Sequence, residues 1–192
     1  MKVLVSSLIS ASDRRKFMSE VLDKENIKFD WNNSISHEDM EINFKLQTIS
    51  SPQAIANFET HRKAIQLSKS ELTLILEDDA TPIPGAMSKL NNLVEKSNMN
   101  FDILFCGWTS GFFTNLKQID ENFVWMNRFW GTHSYIVNPN SVDKVLSVLG
   151  KSNNHIDKRM SDLVNSGKIK GIFSKQKIFA QNKDFKTQIP KK

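Results

Sequence analysis

The sequence predicts an α/β fold with a mostly parallel central sheet flanked by helices. Two short, continuous apolar runs carry that prediction, Leu72-Thr73-Leu74-Ile75-Leu76 and Phe101-Asp102-Ile103-Leu104-Phe105-Cys106-Gly107. Runs of this kind mark strands buried on both faces of a sheet. Between and around them lie stretches with helical apolar spacing, and alternation of strands with helices implies a parallel sheet. The chain has 192 residues, a length that suits one domain with a core of its own.

The elements follow in order. Lys2 to Ile9 reads as a first strand. Asp13-Arg14-Arg15 then opens a helix with Phe17, Met18, Val21 and Leu22 on its apolar stripe and Ser12 or Asp13 as N-cap. Ile27 to Trp31 reads as a second strand, and residues 32 to 50 as a polar loop. Ser51-Pro52 starts a helix that runs to about Ser70, with Ala54, Phe58, His61 and Ile65 on one face. After the strand at 72–76 come three acids and then Thr81-Pro82-Ile83-Pro84-Gly85, a turn. Ala86 to Lys96 is a helix, the run at 101–107 a strand, and residues 109 to 128 an irregular, aromatic-rich stretch. Thr132 to Asn138 is a strand. Asn140 or Ser141 caps the next helix, which Gly150 closes. A last helix spans about Ile156 to Asn165, and two short strands occupy 169–173 and 176–180.

Composition narrows the functional classes. The single cysteine, Cys106, excludes an intramolecular disulfide, and no Cys/His spacing suggests zinc; a reducing, cytoplasmic setting is expected. No segment approaches the ~20 apolar residues of a membrane span. The net charge of +5 is uneven. From Lys168 onward there are lysines at 168, 170, 175, 177, 183, 186, 191 and 192 against one acid, Asp184. Such a segment reads either as a solvated tail or as a surface for a polyanion.

Glu77-Asp78-Asp79, directly after a buried strand, is the most informative stretch. Ligands of open α/β sheets bind at the carboxyl ends of strands. Adjacent carboxylates repel one another unless a cation neutralises them, and hard oxygen donors suit Mg²⁺ or Mn²⁺. Such an ion bridges a diphosphate and stabilises a departing nucleoside diphosphate. An exposed acidic junction is the alternative.

The surroundings of the triplet resemble glycosyltransferase family 25, which contains lipopolysaccharide galactosyltransferases. Leu74-Ile75-Leu76-Glu77-Asp78-Asp79-Ala80 resembles its LEDD signature, and Phe58-Glu59-Thr60-His61 its FLSH-type segment, with Thr60 in place of serine. Ser10-Ala11-Ser12-Asp13-Arg14-Arg15 is similar to its Arg-rich turn. Phe101 to Gly107, Gly131-Thr132-His133-Ser134-Tyr135 and His155-Ile156-Asp157 are similar to three later motifs, in the same order, so the resemblance runs from about residue 3 to 181.

That resemblance implies a GT-A nucleotide-sugar fold, a UDP-sugar donor, Mn²⁺ or Mg²⁺, and inversion at the anomeric carbon. It places Asp79 on the metal and Glu77 on the ribose or a metal-bound water, with Asp78 able to exchange roles with either, and Gln181 helping to close the metal site. It makes Asp157 the base, where the bare reading is a helix N-terminal acid. Arg14 or Arg15 pairs with the diphosphate or is an exposed first-turn residue. His61 supports the donor site or fills the core; Trp108 stacks on a sugar or base or closes the core; Tyr135 is strand core with its hydroxyl near the cleft; His155 assists or is a loop residue. Trp108, Phe112, Phe113 and Trp130 flank the expected acceptor cleft. The expected acceptor is a lipopolysaccharide or capsule saccharide, with a hydroxymethylated base in DNA, or a catalytically inactive nucleotide- or polyanion-binding module, as the alternatives. The expected organisation is one catalytic domain over 1–181 and a basic tail over 182–192.

Overall fold

A computed structural model describes residues 1–40, 51–110, 114–150 and 154–185. The strands are β1 (Lys2–Ser7), β2 (Asp30–Asn33), β3 (Thr73–Glu77), β4 (Ala80–Pro82), β5 (Ile103–Ser110), β6 (Leu116–Gln118), β7 (Phe123–Met126), β8 (Phe129–Val137), β9 (Gly171–Ser174) and β10 (Phe179–Gln181). The helices are α1 (Ser12–Lys24), α2 (Pro52–Gln66), α3 (Ala86–Lys96), α4 (Val142–Leu149) and α5 (Ile156–Asn165).

The main sheet has the order β2-β1-β3-β8-β5-β9-β7-β6. Strands β2, β1, β3, β5, β9 and β6 point one way; β8 and β7 run against them. The sheet is therefore mostly parallel in direction, as expected, and β8 is the reversed strand inserted between β3 and β5. A second, two-stranded sheet pairs β10 with β4. It stands at the carboxyl end of β3.

Two apolar clusters separated by the sheet make three layers. On one face Met18 and Leu22 of α1 and Ala86 and Leu90 of α3 pack with Leu74, Leu76, Leu104 and Ile136. On the other, Phe58 and Ile65 of α2, Val142 and Leu149 of α4, and Ile156 and Met160 of α5 pack with Ile75, Phe105 and Tyr135. Residues in β3 alternate between the clusters, so this strand is apolar throughout for the reason inferred from its sequence.

Several boundaries differ from expectation, each for a local reason. Helix α1 begins at Ser12 with Ala11 at the N-cap and no side-chain cap bond. Ile27 does not start the second strand. Asn26 takes a positive φ (54°) and the Ile27 N–H returns to Leu22 O at 2.8 Å, a helix-closing motif that postpones β2 to Asp30. Ser51 caps α2 as expected, accepting from the Ala54 N–H, but the helix ends at Gln66. Asn138, rather than Asn140 or Ser141, supplies the side-chain bond ahead of α4, to the Asn140 N–H. The turn after the acids holds the short strand β4. The stretch expected to be irregular contains the β6–β7 hairpin; Phe112 and Phe113 lie outside the described residues.

Candidate active site

The acids occupy the step between β3 and β4. Strand β3 ends at Glu77, the chain breaks its pleat at Asp78 and Asp79, and β4 begins at Ala80. The carboxyl end of the parallel partner β1 lies beside them. Each acid has a different set of partners.

Asp78 is buried and paired. Arg14 Nη1 lies 2.6 Å from its Oδ1, and Ser7 Oγ donates to its Oδ2 at 2.7 Å. Arg14 also stands 3.8 Å from Asp79. The first turn of α1 is what brings this guanidinium back across the end of β1.

Glu77 points toward α2 and β8. His61 Nε2 lies 3.1 Å from Glu77 Oε1, and His61 Nδ1 lies 2.8 Å from the Tyr135 hydroxyl. With Nε2 facing the carboxylate and Nδ1 facing the Tyr135 hydroxyl, both ring nitrogens are engaged. Burial pushes the Glu77 carboxyl up, but the hydrogen bond and charge of His61 outweigh it and hold the group below the usual range.

Asp79 is the acid left incomplete. Gln181 Nε2 donates to its Oδ2 at 3.1 Å, while Oδ1 is buried with no hydrogen-bond partner. Burial first, and the charge of Glu77 second, push Asp79 up to about 7. A carboxylate in that state suits a cation. Among the described residues no cluster of three or more His, Cys, Asp or Glu side chains forms a metal cage. What Asp79 does present is one hard oxygen, Oδ1, without a partner, a donor of the kind Mg²⁺ or Mn²⁺ takes alongside phosphate oxygens and water. Gln181 stands at the cavity's end with its side-chain amide against Asp79.

Asp157, in the first turn of α5, is reached through β8. The Gly131 N–H donates to its Oδ2 at 3.0 Å, and Thr132 Oγ1 lies 2.6 Å from its Oδ1. The same Thr132 oxygen lies 3.3 Å from Glu77 Oε1. Tyr135, His61, Glu77, Thr132 and Asp157 thus form one continuous polar chain through the sheet.

A cavity of about 360 Å³ opens beside the acids. Its walls are Ser6, Leu8 and Arg14, residues 34–37, and Gln53, Ala56, Asn57 and Thr60 of α2; Glu77, Asp78, Asp79 and Gln181 close one end. That volume lies in the range of small-molecule sites. Thr60 fixes the wall: its hydroxyl donates to Ala56 O and accepts from the Ile35 N–H, both at 2.9 Å.

Two residues expected at the site, Arg15 and Trp108, stand elsewhere. Arg15 stacks on Trp31 and donates to Leu8 O, Ser7 O and Asn33 Oδ1, tying β1 to β2 away from the cavity wall. Trp108 is buried against Phe173 and donates to Ser174 O; it closes the core. His155 is the N-cap residue of α5 and makes no side-chain cap bond. Trp130, by contrast, is half exposed next to Gly131.

The sequence reading gave no role to Ser7, Thr132 or His133. Ser7 carries no signal beyond a position at a strand end, and Thr132 enters only as part of the motif Gly131-Thr132-His133-Ser134-Tyr135, with no role of its own. His133 is buried, with burial holding its pKa down and Nδ1 without a partner. Its ring fills the space beside Gly107, where a Cβ would come within 2.3 Å of Nε2.

The fold is similar to that of several solved enzymes. One is a glycosyltransferase involved in the glycosylation of the major capsid of PBCV-1, with a TM-score of 0.57 at 11% identity over 96% of this chain and 93% of that one. Another is UDP-glucose pyrophosphorylase, with a TM-score of 0.51 at 9% identity over 95% of this chain and 90% of that one. The same enzyme complexed with UDP-glucose gives a TM-score of 0.51. These identities establish likeness of fold, and the fold class is one that nucleotide-sugar enzymes use. No family model and no curated protein sequence matches the chain.

Proposed function

We propose that the protein is a metal-dependent inverting glycosyltransferase of the family 25 kind, moving a sugar from a UDP-sugar to a hydroxyl of a saccharide acceptor of the lipopolysaccharide or capsule type. The observation that carries this reading is Asp79: a buried carboxylate oxygen without a partner, at the strand-end rim of a nucleoside-sized cavity. In this reading the nucleoside lies between residues 34–37 and α2, and the diphosphate reaches the acids at the cavity's end. Arg14 balances the charge of Asp78 and faces the diphosphate. Glu77, kept ionised by His61, accepts from the ribose. Asp79 would hold Mn²⁺ or Mg²⁺, which would supply positive charge to a departing UDP.

The chain's own groups carry the remaining chemistry. Asp157 takes the proton of the acceptor hydroxyl as its oxygen attacks the anomeric carbon. The bond from that carbon to the phosphate oxygen breaks, and its electron pair leaves with UDP. Attack opposite the leaving group inverts the centre. The half-exposed Trp130, two residues before Thr132, offers a ring for an acceptor sugar to stack on.

The lysines between 168 and 192 favour a second acceptor, a hydroxymethylated base in DNA, through phosphate contacts. The test is UDP release from UDP-glucose and UDP-galactose with Mn²⁺, with and without saccharide or hydroxymethylated DNA. Acceptor-stimulated release supports the reading and chooses the acceptor. UDP binding without any release on either acceptor refutes it in favour of an inactive binding module.

A further inference from the structure

Thr132 stands where two carboxylates of different duty meet. It is fully buried, its Oγ1 is 2.6 Å from Asp157 Oδ1 and 3.3 Å from Glu77 Oε1, and its hydroxyl has one proton. That proton goes to the nearer acceptor, Asp157. Glu77 is meanwhile served by His61. The other oxygen of Asp157 is held by the Gly131 N–H, a donor that cannot reverse its role. Thr132 is therefore the one partner of Asp157 among the described residues able to turn from donor to acceptor.

We infer that Thr132 is a positioning residue whose hydroxyl follows the charge during transfer and couples the acceptor side of the site to the donor side. This rests on the reading of Asp157 as the base. Before reaction Thr132 donates to the Asp157 carboxylate and fixes its plane against β8. As the acceptor O–H bond breaks, a new O–H bond forms on Asp157, whose charge is lost. Glu77 Oε1 lies 3.3 Å from Oγ1, so the Thr132 proton turns to it once Asp157 is neutral, and the freed lone pairs of Oγ1 turn to Asp157. Nothing leaves or enters except the acceptor proton. Glu77 gains a second donor at the moment UDP departs. The groups facing this chain are Glu77 from β3, His61 from α2, and His133 and Tyr135 from β8; among the described residues, Thr132 is the one hydroxyl bonded to both Asp157 and Glu77.

Thr132→Val keeps shape and removes the hydroxyl; Thr132→Ser keeps the hydroxyl. The valine variant is expected to lower kcat for acceptor-dependent transfer about 10- to 100-fold, the size of one hydrogen bond to a charged group. KM for the UDP-sugar stays within about 3-fold, because the donor site is intact. The serine variant recovers kcat to within about 5-fold of wild type. Thr132→Ala repeats the test should valine prevent folding. A valine variant as fast as wild type, a serine variant as slow as valine, or a rise in KM that accounts for the loss overturns the role of Thr132. A wild-type protein that transfers nothing overturns the transferase reading and this inference with it. Wild-type turnover with an indifferent valine variant overturns this inference alone.

Discussion

Replacing His61 by leucine tests the polar chain where it is most deeply buried. His61 and Tyr135 are both at 0% exposure, and the Glu77 side chain is 23% exposed. Leucine fills much of the same volume, so the loss is chiefly polar. One charge-assisted hydrogen bond to Glu77 disappears, and the Tyr135 hydroxyl loses its partner. Together these cost about 2–4 kcal/mol at neutral pH, toward the low end because water reaches part of Glu77. The sign with pH follows from Glu77. In the wild type its folded pKa lies below the ordinary glutamate value of 4.5, so it contributes stability above that pH that is lost as the pH falls through the folded pKa. Without His61, burial dominates and the folded pKa rises above 4.5. The carboxylate then costs stability at neutral pH, and the cost fades as the pH drops and the group protonates. Urea denaturation at pH 7.5 and pH 5 reads this directly: the deficit of His61→Leu narrows at the lower pH, and His61→Gln, which retains a donor, recovers part of it. A deficit that is equal at both pH values would mean that His61 is a packing residue only, and the chain argument would fail.

The remaining expectations can be checked with the same protein. Asp79→Asn abolishes transfer yet stabilises the metal-free protein at pH 7.5 by about 2–4 kcal/mol, because a carboxyl raised to about 7 loses stability progressively as the pH climbs from about 4 to 7; the gain vanishes near pH 4. Asp157→Ala loses transfer while UDP affinity with Mn²⁺ stays within about 3-fold by calorimetry, since a base acts on the acceptor; collapse of UDP affinity reassigns Asp157 to the donor site. Gly107→Ala forces a Cβ to 2.3 Å from the His133 ring and 2.8 Å from Phe179 O, costing about 1–3 kcal/mol in thermal unfolding. If DNA is the acceptor, changing Lys183, Lys186, Lys191 and Lys192 to Gln reduces the slope of log affinity against log salt by roughly 0.9 per lost phosphate contact; absence of duplex or single-strand binding at low salt removes that acceptor.

Much of the site was legible because its signals are local. The acidic triplet follows an apolar run, so its place at a strand end could be read directly, and β3 ends one residue later than expected, at Glu77. The face of α2 holding Ala54, Phe58, His61 and Ile65 was legible from spacing, and all four are buried. Arg14 and Arg15 are adjacent in sequence but separated in space: one turns to Asp78, the other to Trp31, a division that a first helical turn conceals. The β6–β7 hairpin was hidden because Leu116, Lys117 and Gln118 are all exposed and show no alternation. Thr132 owes its role to contacts with Glu77 of β3 and Asp157 of α5, and His133 to the space beside Gly107, where β5 pairs irregularly with β8; both are long-range features that strand spacing does not carry.

The end of the chain shows how a boundary drawn from charge departs from one drawn by contacts. The lysine run separated a domain ending at 181 from a tail. Yet the Asn182 N–H donates to Asp79 O at 2.7 Å, and Asp184 N–H closes a turn on Asn182 Oδ1. Phe185 then packs edge-on to Phe17 at 5.2 Å, with the Arg14 guanidinium 4.9 Å from its ring centre. The residues that follow β10 therefore hold Asp79 from its backbone and cover the arginine that holds Asp78. Cation–π contact and burial at that arginine favour one guanidinium position, the one within reach of both acids. A truncation that removes residues 182–185 would disturb the donor site as well as the charge of the tail. Only substitutions that spare Asn182 and Phe185 can separate the electrostatics of the lysines from the geometry of the acids.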